Sequence, residues 1–498
     1  MRQGEGWTSY GSAVSVSFDP VNDANPDVGR PQVADLGRLA RRAVRSVVRA
    51  ARVDEAVTLA GLLRAHLAGD IDELSIVEEQ WPPYDHVNVQ AGLDAWLDAL
   101  GRQHELVGVI GFLHREFGLS ELVGGGEQHG PMALRPGNVS RANLPCGPDG
   151  AVRACVRCGV YLVTDGDRRT ALLMRGAEMH SSHQSVTVEI ASTDPGFAAV
   201  AAAEIRALAV EHNVFRGQVL SFGTEVFGHG TTLLQFHRRP SLAASQLILP
   251  EDVLAAVQRQ VVGIARHKER LLAAGQHLKR GLLLYGPPGV GKTHTVRYLV
   301  GSLVGTTVIE LTGNALHLVG QACSIARTLA PAMLVVEDVD LIAEDRGMHP
   351  GDHPMLFQLL NEMDGLAEDA DIVFVLTTNR ADLLEPALAA RPGRVDQAIE
   401  LELPDAAARR ELFELYRGAL AVETSRIDDV IARTDGVTAS FLKEVLRRAA
   451  VRAAEESDAA DGRLAVSADV LDAALDELLD TRNAMTRVLL GGVSKAAN

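Results

Sequence analysis

The run Gly286-Pro287-Pro288-Gly289-Val290-Gly291-Lys292-Thr293 is the densest piece of chemistry in the chain. Its glycines let the backbone curl so that successive N–H groups point inward, a concavity suited to an anion. Leu282 to Tyr285, just before it, reads as a strand, and the residues after it read as a helix whose positive end faces the same concavity. Phosphate is the anion such a loop holds. Lys292 then reaches the β- and γ-phosphates of a nucleotide, and the Thr293 hydroxyl is placed to ligate Mg²⁺. With His294 added, residues 286–294 form the expected nucleotide-contacting run. A glycine-rich turn without a ligand would not need Lys and Thr at those positions.

A second concentration of charge follows the apolar stretch Met333-Leu334-Val335-Val336, which ends in Glu337-Asp338. Carboxylates at a strand end beside a phosphate loop manage a metal ion and an attacking water. In most such ATPases the order is Asp then Glu, the first acting on the metal and the second on the water. Here the order is reversed, so Glu337 joins Thr293 on the metal side and Asp338, one methylene shorter, takes the water. Asp340 stands in reserve, or caps the segment that follows.

These side chains need a scaffold. From Gly281 to Leu403 apolar runs alternate with helical patterns, the signature of a parallel sheet covered by helices on both faces. Five parallel strands are expected, at 282–285, 307–311, 332–337, 372–377 and 398–403, in a large α/β subdomain over 246–403. After Pro404 helical periodicity predicts an all-helical lid over 404–485, then a tail at 486–498. Upstream, residues 1–29 are rich in Gly, Ser, Asp, Asn and Pro without a sustained period and read as a flexible arm. Helical periodicity predicts a helical N-terminal domain over 30–123, including a helix over Leu93–Phe117. Seven glycines and four prolines between Gly124 and Gly150 predict a linker. Short apolar runs at 160–163, 170–174, 186–190, 218–222 and 231–236, with a helix over 195–212, predict a small α/β domain over 151–245.

Together the two motifs resemble the AAA family, the ATPases associated with diverse cellular activities, and the likeness extends from Leu247 to Asp480. Thr377-Thr378-Asn379 resembles the family's sensor 1, which implies that Asn379 contacts the γ-phosphate or the attacking water. Leu384 to Asp396, containing Arg391-Pro392-Gly393-Arg394, resembles the second region of homology. The resemblance implies that Arg391 and Arg394 act in trans on a neighbour's γ-phosphate, within a ring of identical subunits expected to be a hexamer. A guanidinium suits that task because it stabilises charge spread over phosphoryl oxygens. Leu318-Val319-Gly320 lies where the family carries a pore loop, without the aromatic residue. It either engages an extended polypeptide or packs as an ordinary loop. Gly436-Val437-Thr438-Ala439 lies at the sensor 2 region, without the arginine of more distant relatives. The reversed acidic pair and the small α/β domain also resemble the mitochondrial Rieske-protein translocase group, whose membrane anchor is not seen here. No His-Glu-x-x-His occurs, unlike the family's zinc-protease branch.

The implied activity is Mg²⁺-dependent hydrolysis of ATP to ADP and phosphate, coupled to remodelling of a protein client or complex. Alternatives are a nucleotide-gated scaffold with little turnover, and a nucleic-acid-associated motor or loader. A formal charge of -17 disfavours a chain that coats nucleic acid, which calls for a net basic face. One basic amphipathic helix is expected, with Arg38, Arg41, Arg42, Arg45, Arg49 and Arg52 on one side. It is either a solvated face or a dock for an acidic partner or anionic surface. No apolar run approaches the ~18 residues that cross a bilayer, and no secretory signal is seen, so a cytoplasmic protein is expected. Cys146, Cys155 and Cys158 with His180 and His183 offer zinc ligands at irregular spacing, or free thiols in a small domain. Cys323 reads as a packing residue.

Overall fold

The structure is a computed structural model that describes residues 58–67, 74–112, 117–124, 134–177, 184–194, 196–224, 232–341, 354–382, 394–456 and 464–480. The arm at 1–29, the arginine-bearing helix and the tail at 486–498 lie outside the described residues. The described residues, all at or after Thr58, form one compact unit built on two seven-stranded sheets.

The first sheet is antiparallel. Strands β1 (Ile76–Trp81), β2 (Arg102–Ile110), β3 (Arg135–Gly137), β4 (Ser140–Pro145), β5 (Val152–Asp165), β6 (Arg168–Arg175) and β7 (Val186–Ser192) take the order β1-β7-β6-β5-β2-β3, with β4 also paired to β5. Helices His86–Leu97 and Phe197–Glu211 cover one face through Leu93, Trp96 and Ile205. Helices Leu59–Leu67 and Leu119–Gly124 cover the other through Leu63, Leu67 and Leu122. Because both faces are buried, the central strands read as continuous apolar runs.

This sheet overrides two expectations. The helix expected over Leu93–Phe117 stops at Leu97, Gly101 turns the chain with φ 91°, and Arg102–Ile110 is a strand paired with β5 and β3. Strand pairing also runs across the borders expected at 123 and 150, since β1 to β4 complete the sheet of β5 to β7. The prolines of the expected linker are compatible with strands because Pro136 lies in an edge strand and Pro145 closes β4.

The second sheet holds β8 (Val219–Thr224), β9 (Thr232–His237), β10 (Arg280–Tyr285), β11 (Thr307–Leu311), β12 (Ala332–Val336), β13 (Ile372–Thr378) and β14 (Gln397–Glu400), in the order β14-β10-β13-β12-β11-β8-β9. Strands overlap all five expected positions, with β14 ending at Glu400 and not at 403, but the sheet has seven strands and is not wholly parallel. β8 adds to β11 in parallel, and β9 pairs with β8 antiparallel, so both leave the small domain to which their sequence position had assigned them. Side chains alternate cleanly between two cores. Leu334, Val336, Phe374 and Leu376 face helices Val319–Thr328 and Pro354–Asp364, while Leu282, Leu284, Val335 and Val375 face helix Lys292–Ser302. The two sheets also share a core: Val87, Cys155 and Phe215 sit in one cluster with Leu234 and Leu329.

Arg239 fastens the β8–β9 hairpin to the helix behind the phosphate loop. Its guanidinium donates to the carbonyls of Val300 (2.6 Å), Leu303 (3.1 Å), Thr306 (2.6 Å) and Gly217 (3.0 Å), at the negative end of that helix. Beyond the sheet, helices Ala406–Arg417, Ile427–Arg433, Ala439–Glu456 and Ala468–Leu479 pack together around Phe413, Phe441 and Leu475 at the place where a helical lid is expected. A two-residue parallel bridge, Ala421–Val422 with Ala465–Val466, is added to it. Among the described residues no helix is long and apolar enough to cross a membrane.

At the foot of β10 the Arg280 side chain, 2% exposed, pairs with Asp371 at 3.0 Å. Removing one partner of a buried pair strands the other charge. Asp371→Ala is therefore expected to cost about 3–5 kcal/mol in urea unfolding. Glu414→Ala, which breaks an exposed pair with Arg417, should change stability by less than about 0.5 kcal/mol.

Candidate nucleotide site

β10 ends at Tyr285, and the chain turns through Gly286–Gly291 into helix Lys292–Ser302. Gly286, Gly289 and Gly291 have φ of 142°, 86° and 111°, which side-chain-bearing residues rarely adopt. Gly286 is constrained twice, because a Cβ there would lie 2.2 Å from the carbonyl oxygen of Leu401. Lys292 is buried and folds back over the loop, its Nζ donating to the carbonyls of Gly286 (2.7 Å) and Pro287 (2.9 Å). Burial holds its ammonium below the usual lysine range, against the upward pull of Asp338 and Asp340. Val290 anchors the loop in the core below it, and His294 Nε2 donates to the carbonyl of Gln246 at 3.1 Å.

Sheet order brings the other groups to this loop. β13 lies between β10 and β12, all three parallel, so their C-terminal ends share one edge. Glu337 and Asp338 follow β12, and Asn379 follows β13. Burial pushes the Glu337 carboxyl above the usual range, while a hydrogen bond from the Thr293 hydroxyl pulls it down. Asp338 accepts from Asn379 Nδ2 at 3.2 Å, and its own N–H donates to Thr377 Oγ1 at 3.1 Å. Asp340 is buried and accepts from Thr378 Oγ1 at 2.8 Å and from the Asn379 N–H at 3.4 Å. It staples β12 to β13. The lid closes from above: Ser440 donates to the Gly289 carbonyl through its N–H (3.2 Å) and its hydroxyl (3.3 Å), and Thr438 is buried beside it.

The structure thus gathers residues 286–294, Glu337, Asp338 and Asn379, and leaves Arg394 elsewhere. Arg394 lies at the opposite end of β10, where its carbonyl packs on Gly281, and its side chain, 6% exposed, forms a fork with Asp364. A strand of this length spans ~17 Å at ~3.3 Å per residue, so Arg394 does not reach its own chain's loop. Arg391 lies outside the described residues. Val319 is fully buried and opens helix Val319–Thr328, so at this position Leu318-Val319-Gly320 packs into the core. Cys155 and Cys158 lie on β5 on either side of an irregularity in its pairing with β4 and enter different hydrophobic clusters, and among the described residues no group of three or more His, Cys, Asp or Glu could hold a metal ion. All four cysteines are free, and burial pushes Cys323 up to about 12, as befits a packing residue. His180 and His183 lie outside the described residues.

Four contributors were not in the expected site: Thr377, Thr378, Gln246 and Ser440. Two hydroxyls ending an apolar strand were a usable signal for the first pair. Nothing local marks the second pair, which depends on how the lid and the 240–250 segment fold back.

A phosphate loop at the carboxyl edge of a parallel sheet, under a helical lid, defines a P-loop nucleotide-hydrolysing module. Residues 282–403 match the family described as "ATPase family associated with various cellular activities (AAA)". The chain carries an ATPase module of the AAA family. Among its relatives is "ATP-dependent zinc metalloprotease FtsH 2" of Sphaerobacter thermophilus, 36% identical over 234 residues, or 44% of this chain and 36% of that protein. "ATPase family gene 2 protein homolog A" of Homo sapiens is 32% identical over 230 residues, covering 44% of this chain and 26% of that protein. FtsH of Thermus thermophilus is 32% identical over 235 residues, covering 44% and 37%. The match thus spans between a quarter and two fifths of these relatives. The zinc-protease branch therefore does match over the ATPase segment, although this sequence holds no His-Glu-x-x-His.

The crowding at Gly286 is directly testable. Gly286→Ala should weaken binding of a fluorescent ATP analogue at least about tenfold, or ~1.4 kcal/mol. Gly196→Ala, where an added Cβ meets nothing within 4 Å, should leave it unchanged.

Proposed function

We propose that this module binds ATP with Mg²⁺ and hydrolyses it within a ring of identical subunits, expected to be a hexamer, to remodel a protein client or complex. The observation that carries the reading is the convergence of Lys292, Thr293, Glu337, Asp338 and Asn379 at the edge shared by β10, β12 and β13.

The donor set suits both ligands. Three glycines leave the loop's backbone open to phosphate oxygens, and the hydroxyl of Thr293 with the carboxylate of Glu337 offers the hard oxygen ligands that Mg²⁺ prefers. When bound, the metal supplies Lewis-acid stabilisation of the phosphoryl oxygens. Lys292 exchanges the carbonyls of Gly286 and Pro287 for phosphate, which compensates its buried charge better than neutral carbonyls do. Asp338 orients the attacking water and accepts its proton, and Asn379 holds that carboxylate while contacting the same water. His294 and Gln246, with Ser440 of the lid, frame the rest of the nucleotide.

Arg391 and Arg394 serve the neighbouring subunit's phosphate. Arg394 must leave Asp364 to do so, which makes Arg391 the first candidate for the finger. The region before 246 recruits the client, whose chemistry is that of a protein rather than a nucleic acid, given the chain's acidic balance.

The short second carboxylate favours one rival, a scaffold that assembles on nucleotide and turns over little. Steady-state phosphate release separates the two. Asp338→Asn should lower kcat about 10²-fold or more, within the range for a lost general base, while retaining bound ATP. Lys292→Ala should lose both. Arg391→Ala should lose turnover but bind normally, and its rate should not recover at higher protein concentration. Equal, very low phosphate release by wild type and Asp338→Asn would select the scaffold.

A further inference from the structure

Adjacent residues of an extended strand point to opposite faces, which creates a difficulty for two neighbouring carboxylates meant for one nucleotide. Glu337 takes the face of helix Lys292–Ser302, where Thr293 reaches it. Asp338, if extended, would turn away toward the other core. Instead its φ is 51°, in the left-handed region, which Asp and Asn enter more readily than longer side chains. This bend brings the Asp338 carboxylate to Asn379 Nδ2 on the nucleotide edge.

One residue grips both sides of the bend. The Thr377 hydroxyl accepts the Asp338 N–H at 3.1 Å, and the Thr377 carbonyl accepts the Val339 N–H at 2.9 Å. Thr377 is 2% exposed, so no water readily replaces its hydroxyl if it is lost.

We propose that Thr377 is a positioning residue for hydrolysis: through its hydroxyl it holds residue 338 in the left-handed conformation, and this is why the reversed order takes an aspartate, not a glutamate, in second place. The inference rests on Asp338 being the water-directed carboxylate.

Five variants of the full chain test it by kcat, KM and retention of a fluorescent ATP analogue. Thr377→Val, matched in shape, should lower kcat about tenfold, the loss from one hydrogen bond of ~1.4 kcal/mol, with KM and retention unchanged. Thr377→Ser should restore kcat to within about twofold of wild type. The double change Glu337→Asp with Asp338→Glu, which recreates the commoner order, should be slower than wild type, as should Asp338→Glu alone. Wild-type kcat in Thr377→Val beside an inactive Asp338→Asn overturns the proposal and spares the base. Full turnover in Asp338→Asn removes the base assignment itself. If Thr377→Val does not fold, the remaining variants decide: a faster Asp338→Glu or a faster double change overturns the proposal.

Discussion

The parallel pairing of β13 between β10 and β12 is the constraint on which the site depends. Parallel strands end on the same edge, so one sheet order delivers the phosphate loop, the acid pair and the Thr377-Thr378-Asn379 stretch to one place. None of these is near another in sequence. A single displaced register would turn Glu337 away from Thr293, because side chains alternate faces along a strand.

Charge at this edge is stabilised mutually. Lys292 is buried where an isolated ammonium would be costly, and it is held by loop carbonyls and by the field of Asp338 and Asp340. Glu337 is likewise pressed toward its neutral form by burial and drawn back by Thr293. Two carboxylates beside one buried cation thus concentrate charge of both signs at this edge. The lid adds Ser440 directly to the loop carbonyl of Gly289, so lid position and loop conformation are coupled through two hydrogen bonds.

The same sheet connects the site to the rest of the chain. β8 and β9 extend it toward the antiparallel sheet, and Arg239 secures that extension to the far end of the phosphate-loop helix. Val87, Cys155 and Phe215 then merge the two cores. A continuous packed path therefore runs from the upstream sheet to the nucleotide edge.

What the sequence by itself determined is the chemistry with a local cause. Gly286, Gly289 and Gly291 declare a backbone that needs positive φ, and the apolar stretches of β10 to β14 declare a sheet buried on both faces. Their periods are written within a few residues, as are those of the lid helices. Only the tertiary structure decided which strands share a sheet, because hydrogen-bond partners in a sheet are chosen across long separations and an apolar run does not name its neighbour. So β8 and β9 went to the ATPase sheet, β1 to β4 joined β5 to β7, and Arg102–Ile110 became a strand once Gly101 turned the chain. The same reason separates Arg394 from the loop and gives Thr377 its hold on Asp338. Each depends on which face or edge a residue occupies after pairing, a property that spacing along the chain does not carry.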